Sequence, residues 1–76
     1  MSSASKRIDG FQVEVEVEMD GGQPVSSCFI SKGKCSSSLR LAQELGGVEG
    51  CDGACFEPMS ESTLAKIEEF AYDNGY

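Results

Sequence analysis

The chain reads as a small α+β domain: an antiparallel β-hairpin, with room for a third strand, packed on one side by two α-helices in the order β-β-α-(β)-α. Three observations predict this. Phe11, Val13, Val15, Val17 and Met19 alternate strictly with Gln12, Glu14, Glu16 and Glu18, the period-two pattern of a strand with one buried face. Gly21 and Gly22 follow at once, a pair suited to the positive φ angles of a two-residue hairpin turn. Further along, two stretches carry apolar residues at helical spacing behind serine-containing starts.

Residues 1–7 are Ser-rich and are expected to form a flexible N-terminal tail, leaving 8–76 as a single small domain. The strand from Phe11 to Met19 comes next. With the turn at Gly21-Gly22, Val13 faces Ile30 and Val15 faces Cys28 on the core side, while Glu14 faces Phe29, Glu16 faces Ser27 and Glu18 faces Val25 outside. A slip of one residue would bring Ile30 beside Glu14, so burial of the valines selects this register. Pro24 favours an edge position for the second strand.

Cys35-Ser36-Ser37-Ser38 supplies hydroxyls for a helix of about three turns containing Leu39, Ala42 and Leu45, stopped by Gly46-Gly47. The segment from Val48 to Glu57 is the least regular, although Ala54 to Glu57 has room for the third strand before Pro58. The last helix has Ser60 as N-cap, Met59 and Leu64 as a hydrophobic staple, and Glu61 at the positive end of the dipole. Leu64, Ile67 and Ala71, with Phe70 beside them, form its apolar stripe, and Asn74-Gly75 stops it.

At 76 residues the chain can bury only about 60% of the surface its unfolded form exposes, so a metal, a disulfide or self-association would add needed stability. No stretch approaches the roughly 20 apolar residues of a membrane span, and Met1 to Arg7 lack the apolar run of a secretory signal. A cytoplasmic protein with reduced thiols is the expectation. Histidine is absent, which removes the usual general base near neutral pH and the commonest nitrogen ligand for metals. Gly46-Gly47 is a helix stop rather than a phosphate loop, and so small a domain seldom encloses a substrate pocket. A non-enzyme is expected.

The four cysteines, Cys28, Cys35, Cys51 and Cys55, admit a metal reading. Cys51 and Cys55 make one knuckle of a structural zinc site, and Cys35 and Cys28 would complete the ligand set, although the six residues between those two exceed a regular knuckle. Cys35 follows Lys34 just ahead of the first helix, a setting that favours the thiolate. Around Gly33 and Cys35, the span Ile30 to Gly47 resembles the strand, Gly-x-Cys, helix segment of NifU-like iron–sulfur scaffold proteins, a likeness covering about a quarter of the chain. It implies a cluster ligand at Cys35. The family's remaining ligands have no clear counterparts here. The plainer reading is that the cysteines are buried, inert thiols, or under oxidation form a Cys51–Cys55 or Cys28–Cys35 disulfide.

Charge favours a different function. Up to Arg40 five bases balance five acids, whereas beyond it only Lys66 opposes eight acids, which accounts for the whole net charge of −7. Such a molecule repels nucleic acid and anionic membrane and attracts basic protein surfaces. Glu61, Glu68, Glu69 and Asp73 on the last helix are the first candidate carriers, Lys66 relieving only part of the Glu69/Asp73 repulsion. Glu14, Glu16 and Phe29 on the outer sheet face are the second set, an exposed aromatic ringed by polar groups being the make-up of a binding hot spot. In size, acidity and lack of catalytic groups the chain resembles, in type, the small inhibitors that phages make against host enzymes and defence complexes, anti-CRISPR proteins among them. The resemblance implies an inhibitor or adaptor docking on a basic surface that otherwise holds nucleic acid, without a cofactor. A homodimer paired through the sheet is an open option. The alternative is a zinc or iron–sulfur module built on the four cysteines.

Overall fold

Backbone turns organise the molecule. The computed structural model, which describes residues 2–50 and 55–76, contains a four-stranded antiparallel meander of β1 (Ser2–Ile8), β2 (Phe11–Asp20), β3 (Gln23–Lys32) and β4 (Cys35–Ser38), in that spatial order. Asp9 and Gly10 take positive φ angles of 49° and 89°, and Gly21 and Gly22 take 60° and 84°. Positive φ at both central residues gives turns whose twist matches that of the flanking strands. Gly33-Lys34 makes the third connection. α1 (Leu39–Leu45), a two-stranded sheet of β5 (Gly47–Glu49) and β6 (Phe56–Pro58), and α2 (Glu61–Asp73) complete the chain.

The β2–β3 register is the expected one, with Val13 opposite Ile30, Val15 opposite Cys28, Glu14 opposite Phe29, Glu16 opposite Ser27 and Glu18 opposite Val25. Both helices lie on the valine side of the sheet. Val13, Val15, Cys28 and Ile30 from the sheet meet Leu39 and Ala42 of α1, Val48 of β5 and Ile67 and Ala71 of α2 in one buried cluster, closed at one end by Ile8 and Phe11. Among the described residues, no helix is long and apolar enough to cross a membrane.

Several expectations are corrected. The segment expected as a flexible tail is β1, paired along β2 from Ser2 opposite Val17 to Ile8 opposite Phe11. The Asp9-Gly10 turn folds it back, and burial of Ile8 anchors it. β3 is an interior strand rather than an edge, because β4 pairs along its other side. Pro24 is nonetheless accommodated, because β4 pairs only with Phe29–Lys32 and leaves the Pro24 end of β3 without a neighbour on that side. α1 spans seven residues, shorter than expected, since Cys35–Ser38 is drawn into β4. Ser38 caps the helix by accepting the Leu41 N–H at 3.3 Å, and Gly46, left-handed at φ 73°, closes it. Leu45 is left 44% exposed. The third strand runs over Phe56–Pro58, includes Pro58, and pairs with β5 in a separate sheet instead of extending the hairpin, and Ala54 lies outside the described residues.

α2 follows its sequence signals closely. Ser60 Oγ accepts the Thr63 N–H at 3.2 Å, Met59 and Leu64 pack partly buried against the core, and Asn74 takes the C-cap position.

Candidate functional site

The face of the main sheet opposite the helices is open. Across it, Ser3, Glu16 and Ser27 form one row, Ser5, Glu14, Phe29 and Ser38 the next, and Glu18 sits beside Val25. Paired residues share a face, so these side chains all project away from the core. Phe29 is 51% exposed and Val25 52%, and Glu14, Glu16 and Glu18 are exposed around them. β1 lies in the plane of the sheet beside β2 and does not cover Phe29. The three carboxylates repeat at about 6.7 Å, twice the strand rise. Among the described residues none of them makes an ion pair, the two such pairs being Lys32–Glu57 at 3.7 Å and Lys66–Asp9 at 3.1 Å.

The helix carboxylates are placed differently. Glu61 is exposed in the first turn of α2. Glu68 accepts a 2.6 Å hydrogen bond from Gln43 Nε2 and so ties α2 to α1. Glu69 and Asp73 line an open groove of about 370 Å³ between α2 and β1, and Lys6, Arg7 and Lys66 line it too. Lys6 reaches this groove from the core-side row of β1, the segment read as a tail, and among the described residues it forms no ion pair with the α2 acids. Lys66 itself is turned to Asp9. The Asp9 carboxylate accepts from Thr63 Oγ1 at 2.7 Å and from Lys66 Nζ at 3.1 Å, and these two bonds hold its pKa below the ordinary 3.8. The seven predicted carriers therefore divide. Glu14, Glu16 and Phe29 share one surface, and Glu61, Glu68, Glu69 and Asp73 lie on the helix across the core from them.

The cysteines also depart from expectation. Cys35 of β4 and Cys55, just before β6, are joined in a disulfide with 6.2 Å between their Cα atoms. Neither Cys51–Cys55 nor Cys28–Cys35 is the bonded pair, because the Cys35-bearing strand passes directly beside the β5–β6 sheet. Gly50 allows this approach, since a Cβ there would stand 2.6 Å from the Cys55 sulfur. Cys28 is a free thiol beneath the sheet, and burial pushes its pKa from 9.0 to about 11, the opposite of a reactive or ligating thiolate. Cys51 lies outside the described residues. With Cys35 and Cys55 bonded to each other, the set Cys28, Cys35, Cys51 and Cys55 does not offer four free thiolates. Among the described residues no cluster of three or more Cys, Asp or Glu side chains is arranged to hold a metal ion.

Comparison with known proteins finds no matching family model, no similar curated protein and no similar solved structure.

Glu18 and Val25 take the places on the open face that the expected register gave them, whereas one pair of surface cations was not expected. Lys6 and Arg7 were missed with β1, although Asp9-Gly10 between Ile8 and Phe11 is a strong short-range hairpin signal.

Proposed function

We propose that this chain is a non-enzymatic acidic protein-binding module that docks through the helix-free face of its sheet onto a basic surface of a partner. The observation that carries the reading is the exposure of Phe29 and Val25 among three carboxylates that make no ion pair among the described residues, on a surface neither helix covers. Aromatic anchors supply contact area at low entropic cost, and the flanking acids steer and orient a cationic partner. An inhibitor or adaptor of this kind works by occupying a basic surface, including one that otherwise holds nucleic acid, as small phage anti-defence proteins do. The α2 acids contribute to the long-range field rather than to contact.

Affinity capture by the immobilised chain, at graded salt, tests this. Phe29→Ala, and separately Glu14→Lys with Glu18→Lys, should each reduce recovery of the bound basic protein by about tenfold or more, as loss of a hot spot does. Glu69→Lys should leave recovery within a factor of about two, as removal of a charge outside the contact does. Undiminished capture by Phe29→Ala would reject the sheet face as the docking surface.

A further inference from the structure

We propose that two copies of this chain associate through β1, antiparallel and centred on Ser5, to form one continuous sheet of two four-stranded halves. β1 is an edge: β2 pairs one side of it, and among the described residues nothing pairs the other. It runs seven residues with no proline, and an open edge of that length is a template for another strand. α2 does not close it, because the groove of about 370 Å³ lies between the helix and Lys6 to Asp9.

The strand's own residues choose the register. A two-fold axis normal to the sheet keeps Ala4, Lys6 and Ile8 of both copies on the helix side, and it requires some residue to face its own counterpart. Centring on Lys6 would oppose two ammonium groups. Centring on Ala4 would leave Arg7 and Ile8 unpaired. Centring on Ser5 pairs all seven residues, with Ser2 opposite the second copy's Ile8, Ser3 opposite its Arg7 and Ala4 opposite its Lys6. Like charges then never face each other, and each copy's small residues enter beside the other's groove, where bulk would collide with α2.

Charge complementarity adds to this register. Ser3 is paired with Glu16, so the second copy's Arg7 comes to lie in the same row as Glu16, about 9.6 Å away by two strand spacings, with only a serine side chain between. A guanidinium and a carboxylate extended toward each other close that gap, and symmetry makes the pair twice. Within one chain the pair is out of reach. Arg7 stands opposite Gln12, about 13 Å along β2 from Glu16. Because the two-fold axis is normal to the sheet, both helix-free faces end up on the same side, which doubles the proposed docking surface.

Sedimentation of the full chain from about 1 µM to about 1 mM, the range in which a short strand pairing saturates, should show the mass rising from one copy toward two. Arg7→Glu and Glu16→Arg should each weaken association by about tenfold or more, and the double variant with the charges exchanged should restore it. Single-copy mass throughout would overturn the proposal. A dimer indifferent to both single reversals, or unrescued by the exchange, would overturn the Ser5-centred pairing. Neither result touches the docking reading, whose test variants lie at Glu14, Glu18, Phe29 and Glu69.

Discussion

Asp9 shows how much a single residue can hold in place. It opens the β1–β2 turn at φ 49°, and its carboxylate accepts from the Thr63 hydroxyl and the Lys66 ammonium, joining the turn to the first half of α2. A carboxyl whose pKa is lowered by folding contributes stability above the ordinary carboxylate range and loses it as pH falls through the lowered value. Asp9→Asn keeps a side chain that tolerates left-handed backbone but removes the charge. Its melting temperature should therefore lie below that of the unmodified chain at pH 7, and the gap should narrow in strong acid. Thermal melts at both pH values check this, and an equal gap in both would detach the effect from the carboxylate. The turn role was readable from Asp9-Gly10. The Thr63 bond was not, because it joins residues 54 positions apart that meet only after α2 docks.

At the scale of elements, the β5–β6 pair depends on what surrounds it. Three residues a side is too little to stand alone. Its supports are the Cys35–Cys55 bond, the Glu49 N–H donated to Ser37 Oγ at 3.1 Å and the Met59 N–H donated to the Gly46 carbonyl at 2.9 Å. Gly47 is confined there as well, since a Cβ would lie 2.8 Å from the Phe56 ring. A disulfide closing a loop of this length, 20 positions in sequence, stabilises by about 3 kcal/mol in the chain-entropy account. For a domain this small, reduction should lower the melting temperature by more than about 10 °C. Calorimetry with and without a dithiol reductant measures this, and an unchanged melt would show that packing alone holds β6. The bonded pair was not deducible from spacing, since four cysteines allow three connectivities and the choice falls to which strands become neighbours. β4 escaped notice for a related reason: Cys35-Ser36-Ser37-Ser38 has no alternating apolar pattern, and its pairing is dictated by the Gly33-Lys34 turn and by β3.

For the whole molecule, the net charge of −7 is spread more evenly than the primary structure suggests. Charges distant in sequence meet: Lys32 pairs with Glu57, Lys66 pairs with Asp9, and Lys6 lines a groove with Glu69 and Asp73. Exposed pairs of this kind contribute little, so self-repulsion outweighs them. Raising salt from about 10 mM to about 200 mM should therefore raise the melting temperature, because screening acts on the repulsion more than on two surface pairs. A fall would show that Lys32–Glu57 and Lys66–Asp9 dominate. Glu14, Glu16 and Glu18 make no ion pair among the described residues, and Arg7, opposite Gln12 on the same face, stands one row from Glu14 without bonding to it.

Local pattern was enough for β2, β3, their register, both helix stops and the cap at Ser60, since each rests on side-chain period or on hydrogen bonds within a few residues. It also placed Phe29 outside. Long-range contact settled the rest: that Ser2–Ile8 is a strand, that Cys35 meets Cys55, and that Glu68 is tied to Gln43. A serine-rich strand carries little burial signal of its own, and sulfurs or charges distant in sequence acquire neighbours only when hydrophobic burial has already brought their elements together.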